Sequence, residues 1–563
     1  MKKSFAALVL ALCLTPGLAS AAIQVNGVTA TKNANKEIYI SENNAVITGS
    51  DTDATLLVEN NVSEVTFQNV SITSSKYGAA LCMPGAGTEM ITLNFEGTNT
   101  FIGTNGYDGI NSGRNITINL VDGAEVTAKG ASSPDTYCGG TGILAGPLTI
   151  EGKKGTLTAL GGDCNVLRED GYGEAGSGLI IDSLNIGKDV IVIAKAGDAH
   201  CEGAKHSGDG IYAYEDAKVE GTVTAAGSNG TIYSSDGMFV GGKCLVAEKA
   251  SICATGGNGM GGGGNGMFVS GECIVAKNAS VKATGGNGAE NGGDGVYVGG
   301  TLDISGKVEA TGGNGKEDGG DGAYVYGGMN ISGTVTVTGG HGEVVGGRGL
   351  YAYQMLKIGG TLKATGGSGE IEGNDGIYSR KLLEISGKGK VKTAGGAGKT
   401  LGGDGIDGRG KMIFSGDVTA VGGASDEAGG NGVEIEEDGA KIVLDGRVRI
   451  TGGSGAVAAP GVSNEDGETV VSGDVMIVSG GDGVAAIDSK SLTLDGVFGG
   501  ESRDGKEWWD TIKSTMRYFA SFTQRQKVMA LPQTGDTSSL GLWLALLGMA
   551  GAGALMMRKR VHN

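Results

Sequence analysis

Glycine-rich segments that recur at a nearly fixed interval constrain the fold of this chain more than any other feature. Glycine accounts for 112 of the 563 residues, and near-copies of TGGNGKEDGGDGAYV begin at Thr284, Thr311 and Thr338. The residue before the last glycine of each copy marks the repeat, and it recurs every 27 or 29 residues from position 209 to position 431. The markers are Asp209, Asp236, Asn265, Asp294, Asp321, Arg348, Asp375, Asp404 and Asn431. Such a chain folds by stacking one repeating unit on the next.

Three short runs of alternating apolar residues follow one another within each repeat. In residues 294–315 the alternating pairs are Val296/Val298, Leu302/Ile304 and Val308/Ala310. A period of two indicates β-strands, and the glycines between the runs indicate turns. Three strands in about 28 residues predict an all-β, right-handed parallel β-helix, with the handedness taken from the general rule for parallel crossovers. Helical repeats lack this pattern, and a propeller blade needs about four strands in roughly 40 residues.

The glycine-rich segments are predicted to be the long corners between the third strand of one coil and the first strand of the next. Glycine permits the tight backbone approach that stacked corners need. The charged residues at positions 316–318 should form an exposed tip. Asn258, Asn287 and Asn314 share one phase in three successive coils, and we expect them to hydrogen-bond along the stack.

One column of aromatic residues is the main ligand-binding candidate. It consists of Tyr212, Phe239, Phe268, Tyr297, Tyr324, Tyr351 and Tyr378. The phase should face outward, because it continues as Asp407 and Glu434, and because Arg380 and Arg409 occur two residues later on the same side. The aliphatic neighbours should form the core. The column is interpreted either as a brace between strands or as a platform for sugar rings or a partner protein.

The first 21 residues have the pattern of a secretory signal peptide. Lys2 and Lys3 precede an apolar run, and the segment ends with the small residues Ala19-Ser20-Ala21, which form an A-x-A cleavage site. The lipoprotein alternative at Cys13 is poor, because a leucine precedes that cysteine. The mature protein is therefore predicted to be secreted.

The C-terminal residues combine a pentapeptide, an apolar span and a basic tail. The pentapeptide is Leu531, Pro532, Gln533, Thr534 and Gly535. Residues 540–557 are uncharged and long enough to be a transmembrane segment, and residues 558–560 are basic. This order resembles the sorting signal of LPXTG surface proteins of Gram-positive bacteria. The resemblance implies that a sortase attacks the Thr534 carbonyl, releases the residues from Gly535 onward and joins Thr534 to peptidoglycan. The apolar span would therefore hold the protein in the membrane only before sorting.

Five segments follow from these patterns. They are a signal peptide at 1–21, an N-terminal cap with the first coils at 22–76, β-helix repeats at 77–500, a helix and linker at 501–530, and the sorting signal at 531–563. Within the fourth segment, Trp508, Ile512, Met516 and Phe519 recur at helical spacing. Residues 505–528 are predicted to be an amphipathic helix that either caps the last coil or lies, through its basic residues, beside the membrane.

Charge and composition exclude nucleic acid as a partner. Removal of the two processed ends takes Lys+Arg from 44 to 39 and Asp+Glu from 62 to 61, which leaves a net charge of −22. Nucleic acids require basic surfaces. The calcium repeats of RTX proteins need an aspartate where Tyr297 stands, so that motif does not match. A looser calcium site built from Glu317, Asp318 and Asp321 remains open, and otherwise no metal and no cofactor are expected.

Cysteine and histidine residues suggest no catalytic or metal site. His200, Cys201 and His206 lack the second ligand pair of a zinc site. Seven cysteines follow the signal peptide, and an odd number leaves at least one thiol unpaired. Cys244 and Cys273, one coil apart, are expected to stack as small apolar residues. No hydrolase or protease motif is present, so no enzymatic activity is predicted.

The coils also resemble the pectate-lyase-like β-helix of carbohydrate-binding surface proteins of anaerobic Gram-positive bacteria. This resemblance implies an adhesin-like stalk that binds glycans or host surface proteins. The alternatives are a polysaccharide lyase or hydrolase on the same fold, and a passive surface spacer.

Overall fold

The protein is a parallel β-solenoid, as the repeat predicts, and it has about 14 turns. The structure is a computed structural model that describes residues 22–75, 78–85, 89–132, 138–166, 173–200, 208–233, 235–481, 484–495, 497–502, 507–510 and 519–525. No α-helix occurs in these ranges. Each turn contributes one strand to each of three parallel ladders, which we call ladders A, B and C in chain order.

Ladder A holds the first strand of each turn. Its strands are Leu81–Met83, Ile110–Ser112, Ile143–Ala145, Leu179–Ile181, Ile211–Ala213, Met238–Val240, Met267–Val269, Val296–Val298, Ala323–Val325, Leu350–Ala352, Ile377–Ser379, Ile406–Gly408 and Val433–Glu434.

Ladder B holds the second strand. Its strands are Met90–Glu96, Asn115–Leu120, Leu148–Gly152, Leu184–Ile186, Ala217–Val219, Cys244–Val246, Cys273–Val275, Leu302–Ile304, Met329–Ile331, Met355–Ile358, Leu382–Ile385, Lys411–Phe414 and Lys441–Leu444. Two longer strands, Val462–Val471 and Ile487–Leu494, continue ladders A and B together.

Ladder C holds the third strand. Its strands are Thr98–Ile102, Glu125–Lys129, Thr156–Leu160, Ile191–Lys195, Thr222–Ala226, Ser251–Thr255, Ser280–Thr284, Lys307–Thr311, Thr334–Thr338, Thr361–Thr365, Lys390–Ala394, Asp417–Val421, Arg447–Thr451 and Asp474–Val478.

The register of the ladders places like residues above one another and keeps the apolar phase inside. In ladder A, Val296 pairs with Ala323 and Tyr297 pairs with Tyr324. Alternate residues of each strand are almost fully buried; Val335 in ladder C, for example, is 0% exposed. Because side chains alternate across a strand, the intervening residues face outward. The predicted inner and outer phases are therefore confirmed.

The N-terminal residues begin the stack with shorter turns. Their strands are Gln24–Val25, Val28–Thr29, Glu37–Ile40, Ala45–Asp51, Thr55–Val58 and Glu64–Thr73. The first strand pairs antiparallel with the second and the fourth. Next to this end, the rings of Phe67, Phe95 and Phe101 pack together in the core with centroids 5.2–5.8 Å apart. This hairpin gives the first coil hydrogen-bond partners for its edge.

The C-terminal residues leave one sequence-based expectation unconfirmed. The described residues within 505–528 form the strands Glu507–Asp510 and Phe519–Arg525, so the predicted amphipathic helix is not confirmed there. Phe519–Arg525 pairs antiparallel with Asp474–Val478, and Val497–Ser502 pairs antiparallel with Glu507–Asp510. The open edge of the last ladder C strand therefore gains backbone partners from a strand, which a helix cannot supply.

The predicted transmembrane segment at 540–557 lies outside the described residues. Among the residues that the structure does describe, no helix is long and apolar enough to cross a membrane.

The corners stack so closely that only glycine fits at key positions. A Cβ atom on Gly320 would lie 2.0 Å from the carbonyl oxygen of Gly293, one turn away. The predicted asparagine ladder is confirmed in the same corners, where the backbone N–H of Asn287 donates to Asn258 Oδ1 at 2.8 Å and that of Asn314 donates to Asn287 Oδ1 at 2.8 Å. The acceptors are side-chain carbonyls and the donors are backbone groups. Corners held in this way fix the register of the ladders on either side.

Two strands outside the ladders lie in these corners. They are Thr231–Tyr233 and Gly259–Gly262, which pair parallel with each other.

Candidate functional site

The aromatic column lies on the outer side of ladder A and forms one continuous stack. Successive ring centroids are 4.5–5.1 Å apart, and the ring planes differ by 3–15°. The rings are half-buried, apart from Tyr378, which is 8% exposed. The strand spacing of about 4.8 Å is close to the distance at which aromatic rings stack, and this match keeps the rings parallel.

Stacking determines which part of each ring a ligand can reach. The faces of Tyr297, Tyr324 and Tyr351 are turned toward the next rings in the column, and the Arg348 guanidinium lies 5.4 Å from the Tyr351 ring centroid and 5.0 Å from that of Tyr378. The inner rings therefore present edges to solvent. Burial, the first cause, and the neighbouring phenols Tyr351 and Tyr297 raise the pKa of Tyr324 to about 12. Ligand binding by the column stays a prediction, and face-on stacking of sugars against its inner rings is sterically blocked.

A second set of side chains, two residues later in each strand, is more exposed. We call Tyr326, Tyr353, Arg380, Arg409 and Glu436 the outer row. Tyr326 is 47% exposed and stacks on Tyr353 with centroids 4.5 Å apart, and the Arg380 guanidinium lies 4.6 Å from the centroid of the Tyr353 ring. The Arg409 Nε donates to Glu436 Oε2 at 2.9 Å. The outer row thus exposes aromatic surface, guanidinium groups and a carboxylate over five successive turns.

An open depression of about 640 Å³ adjoins the charged end of the outer row. It is lined by Arg380, Lys381, Arg409, Glu436 and Glu437. Arg380 and Arg409 of the outer row indicated the outer face of the strand, but the outer row was not among the predicted ligand-binding residues. The signal was the same alternation, because residues two apart share a face of a strand.

A column of polar residues, the corner column, runs beside the aromatic column. It consists of the nine repeat markers from Asp209 to Asn431. In most turns the side-chain oxygen accepts the backbone N–H of the next marker, as in Asp236 N–H to Asp209 Oδ1 at 2.7 Å and Asp321 N–H to Asp294 Oδ1 at 2.8 Å. The recurring aspartate therefore fixes the register between adjacent turns by accepting this hydrogen bond.

Burial in the corners raises the pKa of these carboxyl groups. Burial is the largest cause for each, and it raises the pKa of Asp236 and of Asp321 to about 6. The pKa values of Asp209 and Asp294 lie well above the usual range, because each is buried and also has a carboxylate of the next turn beside it. The charged form of these groups is disfavoured because they are removed from water and stacked on like charges.

We expect the solenoid to be more stable at pH 4.5 than at pH 8. A carboxyl group with a raised folded-state pKa contributes stability below its unfolded pKa of about 4, and this contribution is lost as the pH rises through the folded-state value. For Asp236 and Asp321 that value is about 6. The loss should be on the order of 1 kcal/mol for each carboxyl group. Denaturant melts of the protein across this pH range measure it.

Asp294→Asn is the matched variant. Asn265 already holds a corner position, and its Oδ1 accepts the Asp294 N–H at 3.0 Å, so an asparagine keeps the hydrogen bond without the charge. The variant should be more stable than the wild type at pH 8 and should show a smaller pH dependence. Equal pH profiles for the two proteins would contradict the assignment.

Three carboxyl groups converge where the aromatic column ends. Ligand oxygens of Asp375, Asp404 and Asp407 all lie within 4.8 Å of one another. Among the described residues, no other group of three acidic, histidine or cysteine side chains is close enough to hold an ion. The looser calcium site predicted from Glu317, Asp318 and Asp321 is therefore not formed. Burial, the first cause, and the charge of Asp375 raise the pKa of Asp407 to about 8.

The histidine and cysteine candidates are resolved only in part. Cys201 and His206 lie outside the described residues. Cys244 and Cys273 pair in register in ladder B and are 1% and 2% exposed, as predicted for stacked apolar residues. Their mutual hydrogen bond, then burial, raises the pKa of Cys273 well above its usual value.

Comparison with known families identifies the C-terminal segment. The family model described as the LPXTG cell wall anchor motif matches residues 523–563, which include Leu531–Gly535 and the predicted span. These five residues lie outside the described part of the structure. No curated protein and no solved structure matches the chain.

The fold and the sorting signal together define a class, the sortase-anchored β-solenoid surface proteins of Gram-positive bacteria. The chain is a secreted protein that is attached covalently to the cell wall.

Proposed function

We propose that this wall-anchored protein is an adhesin-like stalk that binds an extended glycan along the outer row without cleaving it. The observation that carries the proposal is the exposed row of Tyr326, Tyr353 and Arg380, which leads into the charged depression at Arg409 and Glu436.

The chemistry of the outer row suits a glycan. Tyrosine and arginine are enriched in binding hot spots, because they combine a flat apolar surface with hydrogen-bonding groups. Tyr324 and Tyr351 stack on each other two residues before Tyr326 and Tyr353, on the same side of the chain. Tyr353 is covered by Tyr326 on one face and by the Arg380 guanidinium on the other, so it offers a ligand its ring edge. The apolar faces of sugar rings can contact Tyr326, and their hydroxyl groups can bond to the charged groups of the row.

The geometry of the outer row suits a polymer more than a small molecule. Its side chains recur once per turn, and four steps of about 4.8 Å give a surface roughly 19 Å long. An open depression lies at the charged end of this surface. A regularly spaced chain of groups can be matched by a ligand that also repeats, and affinity then arises from several weak contacts.

The triple variant Tyr326→Ser, Tyr353→Ser, Arg380→Ser should weaken glycan binding at least tenfold. Each aromatic contact contributes about 1 kcal/mol and a hydrogen bond from the charged Arg380 about 1.5 kcal/mol, so together they exceed the roughly 1.4 kcal/mol of a tenfold change. The protein, released from purified walls with a muramidase, is applied to a glycan array, and the affinity for each bound glycan is then measured for wild type and variant.

Tyr107→Ser is the matched control. Tyr107 is 42% exposed and lies outside the outer row, so its loss should leave binding unchanged. Unchanged glycan binding by the triple variant would show that the outer row is not the binding site. Release of unsaturated sugars from a bound glycan would indicate a lyase, and an array without any bound glycan would favour a passive spacer.

A further inference from the structure

We propose that Asp375, Asp404 and Asp407 bind a hard divalent cation, for which Ca²⁺ is the best candidate. The inference is independent of glycan binding. Asp375 and Asp404 belong to the corner column, whereas Asp407 pairs in register with Tyr378 at the end of the aromatic column. Adjacent turns therefore bring three carboxyl groups to one point, and an oxygen of each lies within 4.8 Å of the other two.

An unpartnered buried oxygen points to a ligand at this position. Asp407 is only 8% exposed, and its Oδ1 has no hydrogen-bond partner. A buried acceptor without a partner costs about 1–3 kcal/mol, more when it carries charge, so native proteins normally satisfy such an atom. A bound cation would satisfy Asp407 Oδ1 and the facing oxygens at once.

The surrounding charges leave the cluster short of positive partners. Acidic side chains exceed basic ones here: Asp375, Asp404, Asp407, Glu434 and Glu436 face Arg348 and Arg409. Arg348 Nε is 3.6 Å from Asp375 Oδ2, and Arg409 is engaged with Glu436 at 2.9 Å. Like charges at such short distances repel strongly away from bulk water, and a divalent cation removes most of that repulsion.

The donor set selects the kind of ion. All three groups are carboxylates, which suit hard cations, whereas zinc sites usually contain histidine or cysteine. Ca²⁺–oxygen distances are about 2.4 Å, so oxygens that lie within 4.8 Å of one another are close enough to bind the same ion. Mg²⁺ requires near-octahedral geometry and retains several waters, so a half-buried corner suits it less well.

Terbium luminescence tests the proposal, because Tb³⁺ replaces Ca²⁺ and is excited through nearby tyrosine. The full chain is titrated with Tb³⁺ and excited at the tyrosine absorption. Tyr378, one strand position from Asp407, should give saturable emission that Ca²⁺ displaces at lower concentration than Mg²⁺. Asp407→Asn should reduce the Tb³⁺ affinity at least tenfold, and Ca²⁺ should raise the melting temperature of the wild type but not of this variant.

Asp426→Asn is the control, since Asp426 is an exposed carboxylate in a nearby corner. It should bind Tb³⁺ as the wild type does. Asp404→Asn provides a second test should Asp407→Asn fail to fold, because an asparagine Oδ1 can still accept the Asn431 N–H. Equal Tb³⁺ affinity in wild type and the folded site variants, or no saturable emission from the wild type, would overturn the proposal.

Discussion

Replacement of Val335 by aspartate should destabilise the solenoid by on the order of 4 kcal/mol, which is a large fraction of the stability of a typical domain. Val335 is 0% exposed in ladder C, and the residues above and below it in register are Val308 and Leu362. A carboxylate there would have apolar neighbours on both sides and no hydrogen-bond donor among them. Urea denaturation of the purified protein measures the loss.

Thr336→Asp provides the matched control, because it introduces the same group one residue away. Thr336 faces outward, and its partners in register are Glu309 and Lys363, so the new carboxylate stays in water beside one like and one opposite charge. Its effect should be within about 0.5 kcal/mol, as for most surface substitutions. A larger loss for Thr336→Asp than for Val335→Asp would reverse the inner and outer faces of ladder C.

The second large effect concerns attachment to the wall. Thr534→Ala should abolish covalent attachment, since Thr534 supplies the acyl group that the sorting reaction transfers in proteins with this motif. The variant should remain with the membrane fraction through residues 540–557, whereas the wild type should remain in purified walls after boiling in detergent. Immunoblots of the two fractions measure the distribution.

Thr537→Ala is the control for sorting. Thr537 lies between the pentapeptide and the span, and it is removed with the C-terminal fragment in the expected reaction. Its replacement should leave the wall-bound fraction unchanged. Wall attachment of Thr534→Ala at the wild-type level would mean that another residue forms the link.

The solenoid was predictable because its information is local. A repeat of 27 or 29 residues and a period of two decide, from neighbouring residues alone, which side chains enter the core. The outward direction of the aromatic column was predicted from Asp407 and Glu434 in the same phase, since charged side chains are seldom buried. Asp407 is itself an exception, because it is 8% exposed.

The chemistry of the surface was less predictable, because it depends on distances between turns. The strand spacing turns the faces of Tyr324 and Tyr351 toward their neighbours, which the sequence pattern does not show. Asp375 and Asp407 belong to different columns, and the path of the corner backbone brings their oxygens together with those of Asp404. The sequence repeat shows which residues belong to one column, but it does not show how close the side chains of two different columns lie.

The predicted helix at 505–528 illustrates a different limit. Trp508, Ile512 and Met516 recur at intervals of four, and this spacing fits one face of a strand as well as one face of a helix. Aromatic residues favour strands, and the open edge of Asp474–Val478 offers a strand its hydrogen bonds. Phe519–Arg525 forms such a strand, and the helix predicted over 505–528 stays unconfirmed.

Mass spectrometry of the C-terminal peptide from the wall-bound protein tests the central claim most directly. Walls purified from the bacterium are digested with a muramidase and a protease, and peptides that contain Leu531 are sequenced. We predict a peptide that ends at Thr534 and carries a peptidoglycan fragment as an amide on its terminal carbonyl. A peptide that continues through Gly535 and Asp536, with no peptidoglycan mass attached, would contradict covalent anchoring of the solenoid to the cell wall.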